Sequence, residues 1–411
     1  MTEHTNTPEL RFPEFKEEWK FQKLGNLAQF SKGKSLSKKD LNINGNPCIL
    51  YGELYTKYGA ILNKVYSKTS TQNDSLVFSK RNQILIPSSG ETDIDIATAT
   101  AIDTDVKIAI GGDLNIITPI NSDGRFISLY INGKGKYNLA KYAQGKSVVH
   151  LYNSDIKKLN FYLPTNMAEQ KKVGDFFSKL DRQIELEEEK LELLEQQKKG
   201  YMQKIFSQEL RLKDENGNLS PEWTQTQLKN ITNRITRKNK KLESTRPLTI
   251  SGQLGLIDQV EYFNKSVSSK NLENYTLLQK NEFAYNKSYS NGYPLGAIKR
   301  LTRYDKGVLS SLYICFSISS DISVDFMQYY FESTKWFREV ASIAVEGARN
   351  HGLLNISVND FFDISIKLPS LENQKKISSF LIKIDNLIEK QSSKVELLKQ
   401  RKQGLLQKMF I

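Results

Sequence analysis

Residues 169–184 read EQKKVGDFFSKLDRQI, and residues 373–388 read NQKKISSFLIKIDNLI, the same helix written again 204 positions later. The match runs without a gap from 170–207 onto 374–411. It keeps Gln170/Gln374, Lys171/Lys375, Lys172/Lys376, Phe176/Phe380, Asp181/Asp385, Leu193/Leu397, Leu194/Leu398, Gly200/Gly404 and Phe206/Phe410. A second echo precedes each intervening stretch. Glu9-Leu10-Arg11 with Glu18-Trp19 returns as Glu209-Leu210-Arg211 with Glu222-Trp223, the later copy carrying the extra turn text DENGNLSP. The chain is therefore an internal duplication of two half-units, at the scale of domains rather than of solenoid repeats.

Heptad spacing fits both helices. Phe177, Leu180, Ile184, Leu191, Leu194, Tyr201 and Ile205 form one apolar stripe, and Leu381, Ile384, Ile388, Val395, Leu398, Leu405 and Met409 form the other. The polar interruptions coincide as well, Glu187 with Gln391 and Lys198 with Lys402. Pro164 with Thr165 or Asn166, and Pro369 with Ser370, give each helix its start signal. A glycine inside a helix costs about 1 kcal/mol against alanine, so Gly200 and Gly404 predict close packing or a bend. Each stripe has two possible partners, its own domain or the other helix. Connectivity favours the second: the chain leaves one helix at its C-terminal end and enters the other at its N-terminal end, so mutual burial requires an antiparallel pair. The last residues then return to Glu9-Leu10-Arg11, as in a ring cut at one joint. At about 1.5 Å per residue such a helix is a rod of about 57 Å.

Between the echoes the text changes to short strands and turns, such as SLVFSKRNQILIP and DVKIAIGGDLNIITP in the first half, and PLGAIKRL and GVLSSLYICFSI in the second. Each half also holds one helical stretch, FISLYINGKGKYNLAKYA or DFMQYYFESTKWFREVASIA, followed by a Gly/His loop and a strand ending in Leu-Pro. The domains share a plan more than a text, which suggests two readers of different targets. With 411 residues, 38% apolar and 26% charged, the composition is that of folded protein. The longest uncharged apolar run, Val308 to Ser320, is too short to span a bilayer, and the polar start is unlike a signal peptide, so a cytoplasmic protein is expected. Cys48 and Cys315 lie in different halves without metal-ligand neighbours and are expected as buried small hydrophobes. A net charge of +13 and a pI near 9.3 call for an acidic partner, nucleic acid first and an anionic membrane surface second.

Phosphate contact needs mobile cations, and base reading needs donors and acceptors on rigid loops. Lys32, Lys34, Lys38 and Lys39, and Arg234, Arg237, Lys238, Lys240 and Lys241, lie in basic loops at equivalent places in the two halves. Each loop is open to a second reading as a solvated surface; recurrence after the first element of both domains favours phosphate contact. After the matched strands QILIP and EFAYN the text becomes PSSGET and KSYSNGY, which makes Ser88, Ser89, Thr92, Lys287, Tyr289 and Asn291 candidates for base edges, with ordinary turns as the alternative. His150 and His351 occupy corresponding glycine-containing loops beside Lys146 and Arg349, as structural histidines or as phosphate and base donors.

Enzymatic constellations are missing from the text. No GxxxxGK[ST] loop, dinucleotide-type glycine turn or Asn/Asp-Pro-Pro-aromatic motif occurs, and Glu188-Glu189-Lys190 falls on the charged face of a coiled coil. Three histidines offer little for acid–base work. A nuclease with dispersed carboxylates and a coiled-coil scaffold binding protein partners remain the rival readings.

LRFPEFKEEW at 10–19, SPEWTQTQL at 220–228, the QKK junctions after Leu163-Pro164 and Leu368-Pro369, and the helix ends KGYMQKIF and QGLLQKMF carry a likeness. In these the chain resembles the DNA specificity subunit of type I restriction-modification systems. The resemblance implies an α+β protein with two mixed α/β target recognition domains, separated by two long helices in an antiparallel coiled coil with a pseudo-twofold repeat. Target recognition domains are expected at 1–164 and 208–369, and helices at 165–207 and 370–411. Double-stranded DNA read as a bipartite, asymmetric site is implied, with two methyltransferase subunits and ATP-dependent restriction subunits as partners and no membrane. The chain itself is then non-catalytic and without a cofactor, S-adenosylmethionine belonging to the methyltransferase partners.

Overall fold

The computed structural model describes residues 6–34, 36–71, 76–213, 216–265, 268, 271–289, 292–344 and 354–411. The chain forms two compact units, Met1–Lys190 with Gln391–Ile411, and Leu191–Lys390. Four helices frame them: α1 (Gly124–Asn132), α2 (Met167–Phe206), α3 (Val324–Glu332) and α4 (Leu371–Lys408). The two long helices, α2 and α4, each give one part to each unit.

In the first unit, β1 (Lys20–Lys23) and β2 (Ala28–Lys32) are followed by β3 (Ile84–Pro87), β4 (Ser89–Gly90), β5 (Thr100–Ala101), β6 (Leu114–Pro119), β7 (Val149–His150) and β8 (Asn160–Leu163). An antiparallel sheet runs in the order β2-β6-β3-β5, with Lys32 opposite Asn115 at its edge. Two short ladders complete the frame: β1 with β8, which ties the start of the unit to the entry of α2, and β4 with β7. Residues 41–49, 67–69, 77–78 and 109–110 make a second sheet beside it.

The second unit repeats this plan. Its strands include β9 (Thr224–Gln227), β10 (Thr232–Arg234), β11 (Phe283–Asn286), β12 (Ala297–Arg300), β13 (Ile314–Ile318) and β14 (Ser365–Leu368), and two further antiparallel ladders pair 248–251 with 255–258 and 276–279 with 306–309. Its antiparallel sheet is ordered β10-β13-β11-β12, and β9 pairs with β14 just before α4. Strands from different text thus take equivalent places, because the alternation of apolar residues fixes a strand's face while leaving its identity free.

The repeated residues make the same contacts in each unit. Gln170, 2% exposed, accepts from Asp123 N at 2.9 Å and donates to Pro164 O at 2.7 Å. Gln374, 1% exposed, accepts from Ser323 N at 2.9 Å and donates to Pro369 O at 2.9 Å. Asp123 and Ser323 are the N-caps of α1 and α3, so each buried glutamine clamps a domain helix to the first turns of a long one. Phe410 lies 5.0 Å from Phe126 and 6.4 Å from Trp19 between ring centroids, and Phe206 lies 5.7 Å from Phe326 and 5.9 Å from Trp223. At the joints, Leu10 N donates to Lys408 O at 2.9 Å and Leu210 N to Lys204 O at 3.0 Å, while Lys408 reaches Glu9 at 2.7 Å. The C-terminal helix does return to Glu9-Leu10-Arg11, as the ring reading requires.

The long helices run antiparallel within each unit. In the first, Asp181 meets Lys402 at 2.5 Å, Gln391 donates to the Glu187 carboxylate at 2.7 Å, and Lys394 pairs with the same carboxylate. In the second, Lys198 meets Asp385 at 2.8 Å and Tyr201 packs edge-on to Phe380 at 5.1 Å. Phe177, Leu180, Ile184, Ile205, Leu381, Ile384, Val395, Leu398 and Met409 are buried. Leu191, Leu194, Ile388 and Leu405 are half-buried, and Tyr201 is exposed. Both partners expected of the stripes are realised at once: Phe177, Leu180 and Ile184 share one core with Leu398 and Met409 and also with Trp19, Phe126 and Tyr130. The heptad pattern missed Val173, Phe206, Ile377, Leu406 and Phe410, all buried. Val173 and Ile377 continue the same register one step before Phe177 and Leu381, while Phe206, Leu406 and Phe410 lie where the 3.6-residue turn carries the stripe off the 3.5-residue seam and onto the domains.

Of the two readings of the paired glycines, close packing fails. A Cβ added at Gly200 or Gly404 would meet nothing within 4 Å, so neither glycine serves close packing. Both cysteines are buried and free, and burial pushes their thiols up to about 11 at Cys48 and about 12 at Cys315.

Candidate nucleic-acid interface

In the first unit the basic loop leaves the sheet at Lys32, the last residue of β2. Gly33 follows because its backbone lies against the chain at 110–111: a Cβ there would stand 2.0 Å from Gly111 O. Lys32, Lys34, Lys38 and Lys39 are all exposed. Lys38 and Lys39 sit in a single helical turn whose first N–H and hydroxyl, both from Ser37, donate to Asp40 at 2.9 and 2.8 Å. Those two bonds hold the Asp40 carboxyl below its ordinary range, so the one acid of the loop is committed to shaping it.

This loop meets the other candidate loops through a residue the sequence reading did not single out. The Lys32 ammonium lies 5.7 Å over the ring of Tyr152, and Tyr152 stacks on His150 with centroids 6.1 Å apart at 17°. His150 is paired across the β4–β7 ladder with Ser89. Asn153 Nδ2 donates to Ser31 O at 3.0 Å, which fixes the two loops to each other. A cation, an exposed aromatic face, an imidazole and a small hydroxyl residue therefore follow one another along one edge. The signal available in the sequence was the aromatic two positions after His150.

The remaining candidates of this unit divide. Lys146 is exposed, on a loop that turns at Gly145 with φ of +122°. Ser88 is 6% exposed, with its N–H on Asp113 O and its carbonyl taken by Leu151 N, so it holds the core and does not reach a groove. Thr92 is exposed, but its hydroxyl caps the turn 93–96, donating to Asp95 at 2.6 Å and accepting from Asp95 N. With Glu91 and Asp93 beside it, that edge offers acceptors rather than cations.

In the second unit, Arg234, Lys238, Lys240 and Lys241 are exposed around the turn that Asn239, itself buried, holds by donating to Ser244 O at 2.8 Å. Arg237 departs from the expected role: its guanidinium binds both carboxylate oxygens of Glu282, at 2.8 and 3.1 Å, and Leu277 O. Lys287 departs too, since its ammonium donates to Ile356 O at 3.1 Å and braces the segment that enters the short helix Val358–Asp363. A cation with fixed protein acceptors has less to offer a phosphate. Tyr289 is 62% exposed. Asn291, Arg349 and His351 lie outside the described residues.

Among the described residues no group of three or more metal-ligating side chains is assembled. Glu188 of the nuclease-like run is drawn onto Lys399 at 2.6 Å. Among the described residues no helix is long and apolar enough to cross a membrane.

Residues 16–196 match the family described as type I restriction modification DNA specificity domain. Among solved structures the chain is similar to the S subunit of a type I restriction-modification system from M. genitalium, with 16% identity and a TM-score of 0.59 over 98% of this chain and 99% of that one. It is also similar to a chain solved in work on complex assembly and conformational transition of the type I R-M system, at 13% identity and a TM-score of 0.50 over 95% and 97%. The HsdS subunit from Thermoanaerobacter tengcongensis gives 14% identity and a TM-score of 0.47 over 95% and 96%. Residues 16–196 thus match a DNA specificity domain of type I restriction modification systems, and the chain as a whole has a fold similar to that of a type I S subunit.

Proposed function

We propose that this chain is the non-catalytic subunit that chooses the DNA site of a type I restriction-modification complex. In this reading residues 1–164 and 208–369 are two target recognition domains, and 165–207 and 370–411 are the helices that separate them. Each domain reads one block of double-stranded DNA. Lys32, Lys34, Lys38 and Lys39, and Arg234, Lys238, Lys240 and Lys241, contact phosphates, which position without specifying. Ser89, Tyr152, His150 and Tyr289 face the bases. Two methyltransferase subunits, bringing S-adenosylmethionine, and ATP-dependent restriction subunits dock on the same frame in the cytoplasm.

The observation that carries the reading is the continuous edge from Lys32 through Tyr152 and His150 to Ser89, inside the segment that matches a DNA specificity domain. A scaffold that binds protein has no need of an exposed cation–aromatic edge beside four lysines. The test is co-expression with a cognate methyltransferase subunit and genome-wide mapping of methylated adenines. The expected site has two different short blocks flanking unread base pairs, since the two domains share a plan and not a text. A contiguous site, or two identical inverted blocks, would contradict it.

A further inference from the structure

The internal repeat supplies a control for each of its own sites, and one pair of counterparts differs. In the first unit Glu169, 1% exposed, accepts from Arg11 Nε at 2.6 Å and Nη2 at 2.8 Å, and from the Trp19 indole N–H at 3.2 Å. The same arginine and tryptophan recur as Arg211 and Trp223, but the repeat writes Asn373 where Glu169 stood. Arg211 Nη2 donates to Ser220 O, while its Nε is buried with no partner. Among the described residues no acceptor meets the Trp223 indole N–H. Trp223 is only half-buried, so the cost falls on Arg211 Nε: a buried donor left unpaired destabilises the fold, the more so when it carries charge.

A second substitution opens the same place. In the first unit Phe12 packs edge-on to Phe176 at 6.0 Å, with the Lys172 ammonium 4.8 Å over its ring. Its counterpart is the smaller Leu212, and Phe380, the counterpart of Phe176, is left 39% exposed. The result is a cavity of about 160 Å³, lined by Leu210, Arg211, Leu212, Trp223, Asn373 and Phe380 among others. Leu210, like Phe380, is exposed at its margin, 44% of its surface being open. An apolar rim around one partly buried cation is the composition of a protein–protein anchor point rather than of a nucleic-acid groove.

We propose that this cavity is a carboxylate-binding site that receives a glutamate or aspartate side chain of a docked methyltransferase subunit. Arg211 Nε and the Trp223 indole N–H then obtain from outside the acceptor that Glu169 gives Arg11 and Trp19 from within. The first unit is closed by its own glutamate, so the chain offers this anchor once, and the two docked subunits are held unequally. The choice of partner rests on the S-subunit reading above; the chemistry of the site does not.

The test uses the full chain and its N373E, N373Q and R211Q variants. N373E restores the internal carboxylate and should raise the Tm of the free chain by a few degrees. N373Q, with the length but not the charge, should leave it unchanged, and N373E should gain nothing in an R211Q background. If N373E has no effect on Tm, the carboxylate site is refuted. In the complex, N373E and R211Q should each weaken binding of one methyltransferase subunit by about tenfold or more and leave the other in place, read as mass against subunit concentration. Two subunits retained at wild-type affinity would overturn the docking assignment. So would a D214N/E215Q variant that lost as much Tm as R211Q with its stoichiometry intact, because the chain would then fill its own site. Failure of the wild-type chain to bind any methyltransferase subunit would sink the S-subunit reading and the docking assignment together, while the Tm series still decides whether a carboxylate belongs there.

Discussion

At the scale of single residues, chemistry alone did not say which cations are free. Arg237 and Lys240 stand three positions apart in one basic loop, yet the first is chelated by Glu282 and the second is exposed. Replacing Lys32, Lys34, Lys38 and Lys39 by alanine should weaken DNA binding across all sequences. Each lost phosphate contact should lower the slope of log affinity against log salt by about 0.9. A filter-binding titration over a salt series measures this, and the preferred site should not change; a changed preference at a constant slope would overturn the division between positioning and reading residues. At Gly200 and Gly404 nothing blocks a side chain, so G200A and G404A should each stabilise by about 0.5–1 kcal/mol in denaturant unfolding, through helix propensity. A loss at either position would mean that the helix needs a conformation alanine resists.

At the scale of the helix pair, Glu187 faces Gln391, its own counterpart in the repeat, while lysines stand at both Lys190 and Lys394. Hydrogen bonding from Gln391, then from Lys394, holds the Glu187 carboxyl below its ordinary range. A depressed carboxylate stabilises the fold above its unfolded pKa, and that contribution fades as pH falls through the folded value. Asp181 behaves oppositely: burial raises its carboxyl despite Lys402, so it disfavours the fold at neutral pH relative to its protonated form. Substituting Q391E sets two carboxylates against each other. The Tm should fall at pH 8 and recover toward pH 5 as one of them takes a proton. The exchanged variant E187Q/Q391E should return to the wild-type Tm and pH profile, since Lys190 then serves the carboxylate at position 391 as Lys394 serves Glu187 in the natural chain. If the exchange is as unstable as Q391E alone, the two helices are not interchangeable at this position.

At the scale of the molecule, the exchange can be taken further by cutting the chain after Ser207. The remaining helix has lost the partner of its apolar stripe, and burying such side chains is worth roughly 1.5–3 kcal/mol each. A second copy can replace that partner, because Asp181 and Lys198 make with α4 the two halves of one reciprocal contact, Asp181–Lys402 and Lys198–Asp385. Residues 1–207 are therefore expected to form an antiparallel homodimer. With methyltransferase subunits this dimer should modify an interrupted palindrome of the first block and its inverted copy. Glu187 would then oppose Glu187, so the E187Q form should dimerise more tightly at pH 7.5 in sedimentation equilibrium. A monomer at micromolar concentration in both forms would refute the interchange.

The duplicated helices, their antiparallel sense and the return to Glu9-Leu10-Arg11 were legible in the sequence, because a 3.5-residue period and a fixed repeat offset are one-dimensional patterns that survive without knowledge of neighbours. The alternation of apolar residues likewise announced the strands in QILIP and EFAYN. Position within the tertiary structure decided the rest. It buried Ser88, spent Arg237 and Lys287 on protein acceptors, and joined Lys32 to Ser89 through Tyr152 and His150, residues far apart in the sequence. It also left Arg211 without the acceptor that Arg11 has, although the two share the same local text. Periodicity fixes which face of an element turns inward. Whether a polar group on that element is satisfied depends on what another part of the chain brings to within hydrogen-bonding distance, and only folding settles that.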